Sequence, residues 1–546
     1  MTEKPAHRYR SNDRSMDTVD LTHHMMIGQT ATRSLPRTME ERSTLRAFDV
    51  ARALAFVCDL SMGQPTDHSL RTAWLARQLA IAEGLNPDEC DTVCEASLLR
   101  WSGCTANASE FAELLGDDIA GREAMVAMRP GWADPMDAVG NIDDVIEPLA
   151  RIHCEVSVEV ARMLGLDNAT QTTLWNILET YDGRGKLHRL PGDRVPLPVF
   201  IISVAGDLEI FTRVYGIERA LVLIAKKGGA SYPASLIHSV ALLSEQWLRA
   251  LDRTSPDEIE AALLTAGMRK ATSPELIADV IDLKLPWMTG FSRAVAQISA
   301  ACCENAGLDR VSQSRVYRAG LIHGIGSAAV PNAAYDDPST RSASAWERFR
   351  LAPYWTLRAG RQIPALEREA EIASFAHERL DGSGYFRGAA GKAIPMEARI
   401  LGTAVAWVEL RSARPWRKAL SASEAVAQLM KEAKIGRFDP NIVEDVGSST
   451  LADRQPRRRR SNTIRLSSRE TEVLHRISRG ASNKEVARDL DLSPSTVRTH
   501  VESVFRKLEC STRAAAALKA SSMGLLPSEP TDFVSKAISY RSGNSI

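Results

Sequence analysis

The stretch from Leu466 to Leu508 reads LSSRETEVLHRISRGASNKEVARDLDLSPSTVRTHVESVFRKL. It contains two S-x-x-E patterns, Ser467 with Glu470 and Ser482 with Glu485. Such a pattern is a capping box, in which the side chain of each residue bonds the free backbone amide of the other. The stretch therefore predicts two helices that begin at these serines.

A third helix follows at once. Gly480 stands where a left-handed residue would end the first helix, and Ser493-Pro494 begins the third, with Ser as N-cap and Pro as its first residue. Apolar residues then recur at spacings of 4, 3 and 4, which predicts one buried stripe along a helix. The stripe consists of Val497, Val501, Val504 and Leu508.

The opposite face of this third helix carries short polar and cationic side chains. It carries Ser495, Arg498, Thr499, Glu502 and Arg506. Such a face suits a DNA major groove, where Arg bonds guanine O6 and N7 in a bidentate manner. A solvated charged helix face is the alternative. Three capped helices joined by very short turns favour DNA binding, because a compact helix-turn-helix docks in that way.

Residues 466–526 resemble the LuxR-type helix-turn-helix domain through the S-x-x-E-x-x-V-L start, S-N-K-E-V-A, S-x-x-T-V-R-T-H and the following K-L. In that family the segment matching Ser511–Leu526 is a fourth helix that serves dimerisation. The resemblance implies that Arg498, Thr499 and Glu502 face bases. Glu502 replaces a frequent cation, and either accepts a bond from cytosine N4 or makes no contact. The residues implied to meet phosphates, which set register rather than sequence, are Lys484, Ser495, Thr496, His500, Arg506 and Lys507.

The whole chain has 546 residues and a formal net charge of zero, so any attraction to nucleic acid has to be local. The run Arg457–Arg460 precedes the C-terminal helices and is interpreted as a linker that adds weak phosphate contacts. The eight cysteines contain no C-x-x-C pair, which favours buried, reduced thiols and a cytoplasmic location. No apolar run reaches the ~18 residues of a membrane span, so we expect no membrane partner.

An internal repeat occupies the region before the linker. The segment from Glu179, ETYDGRGKLHRLPGDRVP, aligns with that from Glu378, ERLDGSGYFRGAAGKAIP, and the segments from Arg151 and Arg350 align at the same shift of 199 residues. Two blocks in one register indicate tandem copies. Further upstream, LLRWSGC from Leu98 matches LIHGIGS from Leu321.

The second copy resembles the HD-GYP domain, an all-helical, metal-dependent phosphodiesterase that acts on cyclic di-GMP. The matching segments are HERLDGSGYF from His377, Ile394-Pro395, Arg399–Leu401 and RPWRKAL from Arg414. The first copy resembles a more diverged relative. Together these resemblances imply an all-α chain. Its predicted parts are a tail (1–40), a diverged HD-like domain (41–280), a degenerate HD-GYP-like domain (281–447), a basic linker (448–464), a four-helix LuxR-type domain (465–526) and a second tail (527–546).

Most metal-ligand positions implied by this resemblance carry other residues. The second copy has Phe291, His323-Gly324, Ser327, Ala352, Ala376-His377 and Val405 at these positions. The first copy keeps His68 and His153, but has Arg100-Trp101, Ile177-Leu178 and Gly206 at the others. Two imidazoles without a carboxylate form a poor dinuclear site. We therefore expect no metal and no cofactor, and interpret His68, His153, His323 and His377 as core residues, with Glu378 and Asp381 as loop-forming residues.

The leading hypothesis is a sequence-specific transcription regulator that binds double-stranded DNA as a homodimer, with the HD-like region serving sensing or association. Whether the chain is an enzyme stays open, since a metal-dependent phosphohydrolase fused to a DNA-binding domain is the alternative. A third possibility is a nucleotide ligand bound without cleavage. Arg414, Arg417 and Lys418 either bind its phosphate or are solvated, and Asp117-Asp118 either cap a helix or act as substitute ligands.

Overall fold

A computed structural model describes residues 44–139, 142–335, 341–451 and 464–526. Helices dominate this part of the chain, and one two-stranded sheet accompanies them: β1 (Leu45–Arg46) pairs antiparallel with β2 (Ala271–Thr272). The first helices are α1 (Ala47–Ser61), α2 (His68–Ala82), α3 (Pro87–Leu99), α4 (Ala108–Leu115), α5 (Asp118–Val126), α6 (Ile142–Met163), α7 (Asn168–Trp175), α8 (Leu197–Tyr215), α9 (Ile217–Lys227), α10 (Ala234–Leu251) and α11 (Pro256–Leu263).

The next helices are α12 (Glu275–Asp282), α13 (Phe291–Asn305), α14 (Arg310–Ile322), α15 (Ala343–Arg350), α16 (Ala352–Gln362), α17 (Glu367–Ala373), α18 (Met396–Arg411), α19 (Ala422–Lys434) and α20 (Pro440–Leu451). The C-terminal ones are α21 (Ser468–Ile477), α22 (Asn483–Leu490), α23 (Pro494–Leu508) and α24 (Arg513–Ser522). The predicted all-α fold, helical throughout and ending in four short helices, is confirmed.

The repeat found in the sequence recurs as a repeat of hydrogen bonds. The Glu179 carboxylate accepts the backbone N–H groups of His188 at 2.7 Å and Leu190 at 3.1 Å. Glu378, 199 residues later, accepts those of Arg387 at 2.7 Å and Ala389 at 3.0 Å. A buried carboxylate that accepts two backbone amides fixes the path of a loop. The same loop is therefore built twice, which explains why its sequence recurs.

The segment between α3 and α6 ties the first helices to the second set. Asp118, fully buried at the start of α5, accepts from Lys284 Nζ at 3.1 Å and from the backbone N–H of Asn332 at 2.7 Å. Its neighbour Asp117 accepts the backbone N–H groups of Ile119 and Ala120, so the predicted capping role of Asp117 is confirmed. Asp118 instead forms a buried ion pair with a lysine of the second set.

The C-terminal helices start where the sequence predicts. Both capping boxes are formed, at Ser467 with Glu470 and at Ser482 with Glu485. Ser493 caps α23 by accepting from the N–H of Thr496 at 3.0 Å. Gly480 has φ +89° in the turn after α21, a conformation that glycine adopts without steric cost.

Two predicted boundaries fall inside helices. The boundary at 280/281 divides α12, whose apolar residues are buried on every side, so no linker separates the regions there. The linker predicted from residue 448 begins later, because α20 continues to Leu451. The tails at 1–40 and 527–546 and the Arg457–Arg460 run lie outside the described residues. Of the eight cysteines, all in described ranges, seven are buried and Cys510 is half-buried. No helix within the described ranges is long and apolar enough to cross a bilayer.

Candidate functional site

The outward face of α23 is the first candidate site. Val497, Val504 and Leu508 pack into the core of the C-terminal helices, which turns the opposite face toward solvent. The side chain of Arg498 is 77% exposed, and its Nε donates to Glu502 Oε1 at 2.9 Å. An exposed ion pair of this kind contributes little to stability. The Arg498 guanidinium is therefore free to exchange Glu502 for another acceptor.

The residues implied to meet phosphates occupy different environments. Lys484, Ser495 and Thr496 are exposed near the starts of α22 and α23. Arg506 is also exposed and donates to Ser503 Oγ at 3.3 Å, whereas His500 is half-buried. Lys507 is engaged within the domain, because its Nζ lies 2.6 Å from Glu470 Oε2 and donates to the carbonyl of Arg465 at 3.2 Å. The side chain of Thr499 is exposed beside Arg498, and its hydroxyl donates to the carbonyl of Ser495.

Helix α24 is buried on two sides. Ala516 and Ala520 belong to the core of the C-terminal helices. Ala515, Ala517 and Leu518 belong to the large core of the preceding region, where α24 packs against α6 and α12. The helix that the LuxR resemblance assigns to dimerisation is thus covered by the same chain.

Polar contacts reinforce this docking. Glu155 on α6 accepts the backbone N–H of Ser511 at 2.5 Å. Glu159, one turn further along α6 and nearly fully buried, lies 3.6 Å from Lys519 Nζ. The Ser521 hydroxyl donates to Asp279 Oδ1 on α12 at 2.7 Å.

A second candidate site surrounds His68, at the start of α2 in the first copy. His68 is fully buried, with its Nδ1 hydrogen-bonded to Glu209 and its Nε2 2.6 Å from Arg100 Nη2. Because a guanidinium only donates, Nε2 accepts from Arg100 and Nδ1–H donates to Glu209. His68 is therefore neutral and held between a cation and an anion.

The charges of this cluster depend on one another. Burial lowers the pKa of His68, and Glu209 only partly offsets that effect. Burial also lowers the pKa of Arg100 to about 10, against the opposing pull of Asp59 and Glu209. Burial alone would raise the pKa of Glu209, but His68 and the neighbouring Arg213 lower it to about 2. A buried guanidinium and a buried carboxylate thus face each other across one imidazole.

Gly206 on α8 makes room for the Arg100 guanidinium. A Cβ atom at position 206 would lie 2.0 Å from Arg100 Nη1, well inside contact distance. Trp101 covers the cluster, because its ring stacks on His68 at 4.8 Å and lies 4.1 Å from the Arg100 guanidinium carbon. Two of the HD ligand positions, Arg100 and Gly206, therefore fit each other as a pair.

The other first-copy histidine, His153, is fixed by different groups. Its Nε2–H donates to the carbonyl of Arg100 at 2.7 Å, and its Nδ1 lies 3.6 Å from Cys104 Sγ. Burial lowers the pKa of His153 to about 4. His153 therefore supports the backbone that carries Arg100.

The equivalent cluster of the second copy is apolar. His323 Nδ1–H donates to the carbonyl of Gly320 at 2.7 Å, and its ring lies 5.8 Å from that of Phe291. His377 stacks on Tyr385 at 5.0 Å. Burial lowers the pKa of His323 to about 4 and that of His377 to about 3. Both imidazoles are therefore neutral near pH 7.

Glu378 and Asp381 serve their loop. Glu378 accepts the two backbone amides described above, and Asp381 accepts the N–H of Ser383 at 3.0 Å and its hydroxyl at 2.6 Å. The remaining ligand positions, Ala352, Ala376 and Val405, carry no metal-binding atom. Across the described residues, no group of three or more His, Cys, Asp and Glu side chains is arranged to hold a metal ion.

Comparison with known proteins agrees with both resemblances. Residues 275–442 match the family described as HD domain. Residues 465–520 match the family described as bacterial regulatory proteins, luxR family. The chain carries an HD domain and a LuxR-type domain. The HD match begins at Glu275, the first residue of α12.

Relatives extend the similarity beyond the HD domain. The 3′3′-cGAMP-specific phosphodiesterase 3 of Vibrio cholerae is 24% identical over 431 residues, which cover 73% of this chain and 93% of that protein. A crystal structure of a cyclic GMP-AMP-specific phosphodiesterase from V. cholerae covers 75% of this chain and 98% of its own, at 22% identity and a TM-score of 0.54. At this identity the structural similarity concerns the fold.

The LuxR-type domain has relatives of its own. The probable transcriptional regulatory protein NarL of Mycobacterium tuberculosis is 49% identical over 61 residues, which cover 11% of this chain and 28% of that protein.

Several residues of these sites were not identified from the sequence. Glu209 belongs to no motif of the sequence. It lies three residues after Gly206 on α8. The ligand pattern treats Arg100 and Gly206 as two separate losses of metal-ligand residues. A long cationic side chain at one position and a glycine at another position of the same site instead indicate a paired replacement. Arg479, in the turn after α21, is not predicted as a site residue either, because its sequence context does not differ from that of a solvated arginine.

Proposed function

We propose that this protein is a sequence-specific DNA-binding transcription regulator and that its HD region serves sensing or association rather than hydrolysis. The outward face of α23 carries this proposal. It presents Arg498, Thr499 and Glu502 on a well-capped helix of a LuxR-type domain, the arrangement that reads base edges in a major groove. The phosphate-facing residues around it supply attraction that depends on salt.

The cluster around His68 supports a non-hydrolytic first copy. A dinuclear hydrolase generates hydroxide on its metal ions and neutralises phosphate charge with them. Here the Arg100 guanidinium already donates to the imidazole that a metal would need. With Arg100 buried and charged, a divalent ion bound to His68 would be repelled by a cation within hydrogen-bonding distance of the same imidazole.

The second copy supports the same conclusion for a different reason. Its ligand positions offer two neutral imidazoles and apolar side chains, with no carboxylate among Phe291, Ala376 and Val405. Nothing in that set offsets the charge of two divalent ions. A dinuclear metal centre therefore does not fit the residues present.

The alternative is a metal-dependent phosphohydrolase, favoured by the names of the relatives. A hydrolysis assay with purified protein, 3′3′-cGAMP and excess Mn²⁺ tests it directly. We expect no product above a blank without protein, and less than one tenth of a metal ion per chain by elemental analysis. Turnover together with stoichiometric metal would contradict the non-hydrolytic role and leave the DNA-binding proposal standing.

A homodimer is part of the proposal. One recognition helix contacts too few base pairs to select a site, and two half-sites multiply the discrimination. Because α24 is covered in the described conformation, either a surface outside the LuxR-type domain pairs two chains or the domain separates from the HD region first.

Arg498→Ala is the variant that tests sequence reading. The DNA sites are selected from random sequences with the unmodified protein. We expect Arg498→Ala to bind them about 5- to 150-fold more weakly, because one bidentate base contact contributes about 1–3 kcal/mol. Weak binding that falls with salt should remain. Gel-shift titration on the selected site and on a scrambled duplex measures both quantities.

The matched control for Arg498→Ala is Arg469→Ala. Arg469 lies in the same domain, but its guanidinium bonds Glu472 and the carbonyl of Leu490. This control should keep the ratio between the selected and the scrambled duplex. If Arg498→Ala also keeps that ratio, the assignment of α23 as the helix that reads sequence is wrong.

A further inference from the structure

A cleft of about 790 Å³ lies between the HD domain and the LuxR-type domain. One wall comes from the segment before α13 and the end of α18, including Trp287 and Arg414, and the other from the turn between α21 and α22, including Arg479. The Thr289 hydroxyl joins the two walls by donating to the carbonyl of Ser478 at 2.7 Å. Close packing of Gly480 on Pro286 closes one side, since a Cβ at position 480 would lie 3.0 Å from that of Pro286.

Two guanidinium groups, those of Arg414 and Arg479, line this cleft. Within the described residues no carboxylate forms an ion pair with Arg414 or Arg479, and Arg414 Nη1 is buried without a hydrogen-bond partner. Burial lowers the pKa of Arg414 to about 10 and also lowers the pKa of Arg479. The charge of Arg479 acts on Arg414 in the same direction, so the two cations repel each other. Two desolvated guanidiniums that line one cleft form a site for an anion.

Nearby acidic groups do not neutralise this pair. Glu485 is bound to the backbone N–H of Ser482 at 2.7 Å. Asp489 lies 4.0 Å from Arg476 and from Arg488. Asp282, bonded to Ser292, has a pKa raised to about 8 by burial and is therefore largely protonated near pH 7. Glu113 at the exposed rim and Glu409 near the end of α18 make no ion pair with either arginine, and the charge of Glu409 only partly offsets the effect of burial on the pKa of Arg414.

Aromatic surface stands beside the cations. The Arg414 guanidinium stacks over Trp287 at 4.4 Å and lies 5.1 Å from the centre of the Phe291 ring. Trp416 meets Trp287 edge to face at 5.7 Å. A stacked guanidinium keeps its in-plane N–H groups available for a bidentate anion. The neighbouring Arg417 is not available, because its guanidinium donates to the carbonyls of Glu409, Leu410 and Lys418.

We propose that this cleft binds a nucleotide, with its phosphate between Arg414 and Arg479 and its base against Trp287. The ligand contacts the HD domain and the LuxR-type domain at once, so its binding stabilises their docked arrangement. This inference rests on the proposed regulatory function, for which it supplies the ligand class and the place where the ligand acts. A ligand that binds only the docked state shifts the population toward it by its differential affinity.

Isothermal titration of the full chain with three probes tests the proposal: cyclic di-GMP, GMP and inorganic phosphate. We expect saturable binding of at least one nucleotide, tighter than that of inorganic phosphate. Arg479→Ala should weaken it at least about 10-fold, the loss expected for one charge-assisted hydrogen bond. Arg414→Gln should have a similar effect. Arg479→Lys, which keeps the charge, should retain part of the affinity and show that the alanine variant has not simply lost its fold.

The control is Arg249→Ala, which removes an exposed arginine paired with Glu245 on α10, far from the cleft in sequence, and should leave binding unchanged. If none of the probes binds, or if Arg479→Ala binds as the unmodified protein does, the proposal is overturned. If nucleotides bind no more tightly than inorganic phosphate, the base contact with Trp287 is overturned. Selectivity for DNA is measured separately, so failure of the ligand site and failure of the regulatory function give different results.

Discussion

Arg100→Ala is expected to lower the free energy of unfolding by about 1–3 kcal/mol, the cost of leaving a buried hydrogen-bond acceptor without its donor. The guanidinium is buried with His68 and Glu209, and Asp59 lies within its electrostatic reach. Without it, His68 Nε2 loses its donor and the carboxylates lose their nearest buried cation. Urea denaturation followed by circular dichroism at pH 7 measures the change.

The control for this prediction is Arg249→Ala, whose exposed pair with Glu245 contributes at most about 1 kcal/mol. A loss of less than about 1 kcal/mol in Arg100→Ala would contradict the view that the guanidinium holds this cluster together. Gly206→Ala supplies a second variant, because its Cβ would lie 2.0 Å from Arg100 Nη1. Overpacking of this kind costs about 1–3 kcal/mol.

Combining the two substitutions tests the pairing itself. When Arg100 is absent, the Cβ at position 206 meets no guanidinium, so the double variant should be more stable than the sum of the single losses implies. We expect an interaction energy of about 1–3 kcal/mol, within the range found for residues in contact. Additive losses would mean that Gly206 is small for a reason unrelated to Arg100.

The local features of the LuxR-type domain could be predicted from the sequence because local rules determine them. Each capping box lies within four residues, and the buried stripe of α23 follows the helical period. The repeat loop was also predictable, since Glu179 and Glu378 recur with the turn residues around them. In both cases the interaction that fixes the structure lies between residues close in sequence.

The sites that depend on distant residues could not be predicted in the same way. His68 and Glu209 lie on α2 and α8, and Arg100 directly follows α3. The ligand pattern retains His68, marks Arg100 only as a departure and does not include Glu209. The sequence leaves two interpretations of Arg414 open, as a phosphate ligand or as a solvated residue. In the structure its guanidinium is partly buried against Trp287. That burial comes from Trp287 and Phe291, which lie far from Arg414 in the sequence, so no sequence period records the contact.

The docking of α24 likewise changes the meaning of the dimer prediction. A helix rich in alanine can pack closely on either of two partners, and here it packs on α6 and α12. The resemblance covers the LuxR-type domain alone, and it therefore assigns the surface of α24 to contact with a second chain. The two uses exclude each other, because the residues of α24 that pack on the HD region, Ala515, Ala517 and Leu518, are buried within one chain. If two chains pair through α24, docking and pairing are alternative states, and a ligand in the cleft shifts the balance between them.

Glu159→Lys on α6 is expected to release α24 from its contact with α6, while α24 itself stays helical. Glu159 is nearly fully buried and accepts from Arg162 Nε at 2.9 Å while facing Lys519 Nζ at 3.6 Å. A lysine there would place three cations together at the interface, and like charges in such a position cost several kcal/mol. Backbone hydrogen exchange in residues 513–522 should then accelerate by about 100-fold or more, because each 1.4 kcal/mol is a factor of ten.

The control is Glu147→Lys, the same substitution on the same helix at an exposed pair with Arg151. It should leave exchange in α24 unchanged. Exchange in α13, whose main neighbours are α14 and α18, should stay at the level of the unmodified protein in both variants, so that a general loss of fold is distinguished from undocking. If docking and pairing compete for α24, Glu159→Lys should also raise self-association in sedimentation velocity. Unchanged exchange in α24 would mean that the contact with α6 does not hold the LuxR-type domain, and that its other contacts, on α12 and at Thr289, retain it.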